Sequence, residues 1–409
     1  MLPPCLPTWE GRSLKTLVVS KSSRRTVVGV ERGCHYRQYG SILRIKSLDS
    51  VRGIAAFVVV LSHCILTNSE QPRWSLHFPL SLLGAGDGAV FVFFALSGCV
   101  LFLSLQRRET LAYFAYLAKR FFRIYPTFIV AILASAILVT LVKPHDVPGV
   151  SQWFNGHWQH PPTAKMLLGH LAMTDRTGLR QLDSVMWSLI HEIRISIFFP
   201  FIALCVVMNW RAAVVVSTLV SAACVYIELH HQISWLYDPF RTLSFVFLFT
   251  AGAALASHAD DVRRFLGRCP GWLQIGLWVV ALRLATFPAE QYLSLATAAG
   301  ALLIIALAFG TRTTDRILSA HGVLTWLGRI SYSLYLVHFP ILLTSVHLLH
   351  GRLPLPAIFG LVILTSLVAA DVMNRVVEQP SIAFGRRVAS LPALKWTFPL
   401  RRKLDPGAT

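Results

Sequence analysis

Acidic side chains are scarce in this sequence. Only 19 Asp and Glu stand against 38 Lys and Arg, charged residues of both signs make up 14% of 409 positions, and 55% are hydrophobic. With mean hydropathy +0.58, that balance excludes an ordinary soluble domain, whose charged share is about 25%. It predicts an integral membrane protein. Paired cysteines are missing too: Cys5, Cys34, Cys64, Cys99, Cys205, Cys224 and Cys269 form no CxxC, so neither a zinc site nor a disulfide framework is indicated and no metal is expected. No basic-aromatic stripe or finger spacing occurs, so no nucleic-acid partner is expected. The cation excess reads instead as cytoplasmic loops against anionic lipid. Residues 1–43 lack the continuous apolar stretch and cleavage site of a signal peptide. They read as a basic cytoplasmic arm, disordered, and 386–409 as a basic cytoplasmic tail. No repeat of about 20 to 50 residues is visible, which excludes a solenoid.

What is there is a succession of apolar stretches, each near the length that spans a bilayer. They fall at 50–67, 86–105, 122–142, 184–207, 212–229, 240–257, 272–287, 291–310, 327–349 and 354–377. The expected fold is all-α: a polytopic membrane bundle of about ten helices within residues 44–385, since barrel strands would be shorter and would alternate. Clustered Lys and Arg occupy every second loop, which puts both termini in the cytoplasm and the chain in the inner (plasma) membrane. Trp153, Trp158 and Trp235 then fall in or near outer loops as interfacial anchors.

Ionisable residues deep in these stretches are the candidate site. His63 lies 11 residues beyond Arg52, roughly 16 Å along a helix, near the middle of a core about 30 Å thick. The same counting places Glu192, eight residues past Ser184, and His338, 11 residues past Leu327, in the same stratum. A buried ionisable group there costs about 3 kcal/mol unless it is paired or lines a wet cavity. Neutral imidazole suits His63 to general-base work, while His338 fits equally as a structural hydrogen-bonding residue. Glu192 shares a helix face with Ser188 and reads either as a site carboxylate or as counter-ion to Arg194. Trp187, His191 and Arg194 follow another face. Arg120 and Arg123, three apart, present guanidinium groups shaped for phosphate oxygens, or anchor the helix at the inner surface. Asp49, three residues before Arg52, is placed to pair with it.

The order of short motifs from residue 44 onward resembles the acyltransferase-3 family of membrane acyltransferases. "IKSLDSVRGIAAFVVVLSHC" is similar to the family's opening stretch and "AVFVFFALSGCVL" to its second span. "KRFFRIYP", "MWSLIHEIRISIFFP", "LGRISYSLYLVHFP" and "VVEQPSIAFGRR" follow in family order. The resemblance implies that His63 is the catalytic histidine and that Arg120 and Arg123 serve the acyl-CoA donor, with Arg52 beside them. Trp187, Ser188 and Glu192 match the fourth-span signature, His338 the penultimate one, and Glu378 with Pro380 the closing one. Two departures stand out: Phe91 occupies the slot of a common Asp, and Arg194 and Ser196 replace apolar residues. The expected function is O-acyl transfer, with acetyl-CoA the expected donor, from the cytoplasmic side to a hydroxyl of an extracytoplasmic glycan or glycolipid. His63 would be the base and Glu192 would orient it; acyl-CoA enters as co-substrate and no cofactor is bound. A transporter or channel using mid-membrane His and Glu as a relay is the alternative class.

Overall fold

The computed structural model describes residues 45–70, 72, 75, 77–106, 110–173, 181–230, 237–287, 294–394 and 397–399. The basic arm of residues 1–43 lies outside them, as do most of the tail's residues beyond 394. Residues 44–409 form one compact unit.

Helices dominate because the sequence offers long apolar runs whose backbone groups have no partner in lipid but each other. In chain order they are α1 (Lys46–Leu66), α2 (Gly86–Gln106), α3 (Tyr113–Val142), α4 (Gln152–Asn155), α5 (Ala164–Leu171), α6 (Met186–His230), α7 (Tyr237–Ser244), α8 (Val246–Ser257), α9 (Ala259–Arg268) and α10 (Gly271–Ala285). There follow α11 (Leu295–Gly310), α12 (Arg312–Ala320), α13 (Gly322–Leu349), α14 (Leu355–Met373), a π-helical turn at Asn374–Glu378, and α15 (Gln379–Val388). The one sheet among the described residues is a short antiparallel ladder of Thr110–Ala112 with Thr397–Pro399, which ties the tail back to the start of α3.

Local chemistry sets the boundaries. Ser151, Thr163 and Ser294 accept hydrogen bonds from the third residue of α4, α5 and α11 respectively, the N-cap role of hydroxyl side chains. Lys143 ends α3 in a left-handed conformation at φ 50°, with Pro144 following. Exposed apolar side chains such as Ile137, Phe198, Leu219 and Leu364 form an outer surface that water would not tolerate and lipid does.

Among the described residues, seven helices are long and apolar enough to cross a membrane, eight if α11 and α12, bent 86° apart, count as one span. The ten predicted segments are therefore not ten equal spans. Gly271–Ala285 has only 15 residues, about 22 Å of rise. The long α6 is two helices: Asn209 is extended (φ −158°, ψ 93°), and its side-chain oxygen accepts from Ala212 N at 3.1 Å, capping the second half. His191 and Ser221 would lie about 45 Å apart on a straight helix. Yet His191 Nδ1 is 2.9 Å from Thr242 Oγ1, and Ser221 donates to Leu243 O at 3.1 Å. The chain doubles back at Asn209.

Small residues let the helices that carry the site approach closely. A Cβ on Gly53 would stand 2.4 Å from Gly328 N, and one on Gly328 would stand 2.3 Å from Asp49 O. This crossing of α1 and α13 fixes Arg52, His63 and His338 relative to one another, as small residues do between membrane helices.

Candidate active site

His63 sits in the last turn of α1 among aromatic rings. Its ring stacks on His338 at 5.1 Å between centroids and 15° between planes, with Trp153 at 5.3 Å and Phe339 edge-on at 5.2 Å. His63 Nδ1 lies 2.9 Å from His338 Nε2, and His338 Nδ1 lies 3.0 Å from the Leu334 carbonyl. A carbonyl can only accept, so in the neutral pair the proton of His338 is on Nδ1 and its Nε2 accepts from His63 Nδ1. The lone pair of His63 is thereby placed on Nε2. No hydrogen-bond partner of that atom is found among the described residues. His338 is fully buried, which holds the pair rigid.

The segment that brings Trp153 to this ring is fastened to the end of α1. Ser151 N donates to Thr67 O at 2.9 Å and its hydroxyl to Leu66 O at 2.6 Å. The Asn155 amide bonds both Val147 N and Val147 O at 3.0 Å. Sequence reading took Trp153 for an interfacial anchor; hydropathy has no signal for which ring an anchor touches.

A second group of residues surrounds a recess of 90 Å³ that includes Arg52, Arg120, Arg123, Glu192, Ser188 and Tyr335. That volume is about three water molecules' share of liquid. Arg52 pairs with Asp49 at 3.4 Å, as its spacing predicted. Glu192 accepts from Ser97 Oγ at 2.7 Å. Arg120 Nε is buried with no hydrogen-bond partner, an arrangement that costs about 1–3 kcal/mol or more for a charged group and that an anionic oxygen would relieve. Arg123 is exposed to the recess while protein surrounds it. Tyr335 closes the far end: its hydroxyl meets Ser188 Oγ at 2.7 Å and Val185 O at 3.1 Å, and its ring packs on Phe93 at 5.5 Å and on His338 at 6.0 Å.

The site is thus split: the partner of His63 Nδ1 is His338 Nε2, whereas Glu192 pairs with Ser97 and lines the recess. From His63 to Glu192 the path runs back one turn of α13 to Tyr335, across to Ser188 and one turn along α6, on the order of 10–15 Å. Glu192 belongs with the arginines. Leu182 and Asp183, just before α6, are fully buried by protein.

The remaining candidates have mixed placements. Arg194 reaches neither Glu192 nor the recess: it donates to Met173 O at 3.1 Å and to Thr242 Oγ1 at 3.4 Å. Trp187 packs against Phe94, His191 and Phe245. Glu378, in the π-helical turn, accepts from Ser333 Oγ at 2.7 Å and Asn374 Nδ2 at 2.8 Å. Sequence reading missed Ser97 and Tyr335, which lie inside quoted motifs but are common residue types. It also missed Asp183, whose carboxyl is fully buried with Oδ2 unpartnered. Burial pushes Asp183 well above its ordinary value of 3.8, against a smaller opposing effect of the Val185 N–H.

Comparison with known proteins gives the family. The chain is 26% identical over 390 residues to the acyltransferase MdmB of Streptomyces mycarofaciens, covering 86% of this chain and 96% of that protein. No solved structure matches. The family model described as "Acyltransferase domain" matches residues 45–375, a span that contains His63, His338 and all three arginines of the recess. The chain belongs to the acyltransferase-3 family and is an acyltransferase.

Proposed function

We propose that this membrane acyltransferase moves an acyl group, acetyl in the simplest case, from cytoplasmic acyl-CoA to a hydroxyl of an extracytoplasmic glycan or glycolipid. The observation that carries this reading is a match of lengths. Between Arg52 and His63, α1 rises roughly 16 Å. The pantetheine arm, from thioester sulfur to pyrophosphate, is about four extended residues' worth of chain, roughly 15 Å. A donor whose phosphates rest on Arg52, Arg120 and Arg123 therefore delivers its thioester to the level of His63. The orphaned Arg120 Nε supplies a donor hydrogen bond there.

At that level His63 Nε2 takes the proton of the acceptor hydroxyl as its oxygen attacks the thioester carbonyl. The carbon–sulfur bond breaks, CoA leaves as the thiolate, and the proton carried by His63 neutralises it. His338 acts through His63: it holds the ring's orientation and tautomer and stabilises the imidazolium that forms, the part a carboxylate plays in serine-protease triads. Glu192 balances the arginines. Phe93 and Tyr335 stand between recess and histidines, and the recess is far smaller than the donor, so loading requires these two rings to turn aside.

Incubating membranes that contain the full chain with acetyl-CoA labelled in its acetyl group tests the reading against transport. Label entering a glycan or glycolipid, released by mild base as acetate, is the expected result. Uptake of an unmodified solute into vesicles, with no acceptor labelled, would instead make the histidines a relay.

A further inference from the structure

The two members of the Asp49–Arg52 ion pair line different cavities: Arg52 the recess and Asp49 a second one. The second, a cavity of 460 Å³, is lined by residues that include Lys46, Asp49, Ser319, Thr325, Trp326 and Arg329. It is about five times the volume of the arginine recess and falls within the range of small-molecule sites, about 300–1,000 Å³. The reaction described above does not use it, although Lys46, Asp49 and Arg329 fall inside the first and fifth motifs.

Its chemistry is specific. Trp326 is half-buried, and its indole N–H donates to Asp371 Oδ1 at 2.8 Å, which fixes the plane of the ring. Lys46 and Arg329 are exposed cations at the rim. The acids nearby are engaged: Asp49 by Arg52 at 3.4 Å, and Asp371 by Trp326, by Arg375 at 2.6 Å and, at the longer distance of 3.9 Å, by Arg329 itself. A flat aromatic wall with two cations at its edge suits a purine nucleotide, because bases stack on aromatic side chains and phosphates seek Lys and Arg.

Position agrees with chemistry. Lys46 lies six residues before Arg52, about 9 Å farther toward the start of α1. If pyrophosphate rests on Arg52, the rest of a nucleotide has about that distance to cover. We propose that this cavity holds the 3′-phosphoadenosine end of acyl-CoA, with adenine against Trp326 and the 3′-phosphate between Lys46 and Arg329. The inference rests on the acyl-CoA reading above and adds a nucleotide subsite to it.

The test is binding of 3′-phosphoadenosine 5′-phosphate to the purified full chain in lipid nanodiscs, by calorimetry, beside 5′-AMP and inorganic phosphate. The bisphosphate is expected to bind about tenfold tighter than 5′-AMP, with inorganic phosphate far weaker. Lys46→Gln with Arg329→Gln should abolish that preference, and Trp326→Ala should weaken both nucleotides about tenfold. The two cations are exposed, so the first variant does not depend on core packing, and Lys46→Arg should keep the preference. No binding of the bisphosphate, wild-type binding in the double variant, or equal competition by inorganic phosphate would overturn the assignment. Acetyl transfer scored on the same preparation separates the two claims. Nucleotide binding without transfer defeats the acyl-CoA reaction and leaves the cavity a nucleotide site; transfer with equal KM for acetyl-CoA and acetyl-dephospho-CoA defeats the subsite alone.

Discussion

Replacing His338 with Ala removes the acceptor for His63 Nδ1–H, 2.9 Å away, and frees the ring to turn and to change tautomer. The expected loss is about 100-fold or more in kcat with little change in KM for acyl-CoA, because the donor's phosphates lie elsewhere. His338→Gln, whose amide oxygen can accept the same proton, should restore part of it. Steady-state kinetics with labelled donor checks both, and a change confined to KM would place His338 in binding instead. A second residue-scale expectation concerns Asp183, whose value burial raises well above 3.8. An unfolded chain loses that proton in mildly acidic solution while the folded chain keeps it, so the contribution of Asp183 to stability is fully present below about pH 4 and declines as pH rises toward its folded value. Asp183→Asn should therefore raise the melting temperature more at pH 8 than at pH 5. An equal shift at both would mean that the carboxyl is ionised in the folded protein.

At the scale of elements, the crossing of α1 with α13 sets the reaction geometry. Gly53→Ala would put a methyl 2.4 Å from Gly328 N and 2.6 Å from Leu327 C, backbone atoms that cannot move out of the way as a side chain can. The cost should be about 1–3 kcal/mol of stability. Acyl transfer should fall further than that loss explains, since the His63–His338 bond joins the same two helices. Thermal unfolding and label transfer on one preparation decide it; wild-type behaviour in both would mean that the helices part freely. Elements were also where sequence reading was strongest. Apolar length located every long helix, and helical rise along two parallel helices, each counted from its cytoplasmic end, put His63 and His338 at one level. The predicted stretches 184–207 and 212–229 also part at residues 208–211, where Asn209 turns the chain. The aromatic partners Trp153 and Phe339 were illegible because contact between distant segments leaves no local pattern.

For the molecule as a whole, the account requires one polarity: arginine recess and nucleotide cavity toward the cytoplasm, His63 and the α4 segment toward the outside. The turn at Asn209 then faces the cytoplasm and Gln152, exposed on α4, faces out. Cysteines placed singly at these two positions, in a background without accessible native thiols, should react with an impermeant maleimide from opposite sides of sealed vesicles. Labelling of both from one side would contradict the arrangement. Composition announced a membrane protein and motif order its family, while the division into a histidine pair and a separate arginine recess appeared only in three dimensions.

The central claim, that His63 Nε2 accepts the proton of the acceptor, is tested most directly by the rate of acetyl transfer in membranes containing His63→Ala at the wild-type level. The account predicts a fall of about 10²–10⁴-fold, the usual contribution of a positioned general base, with acyl-CoA binding retained. Transfer within about threefold of wild type would contradict it.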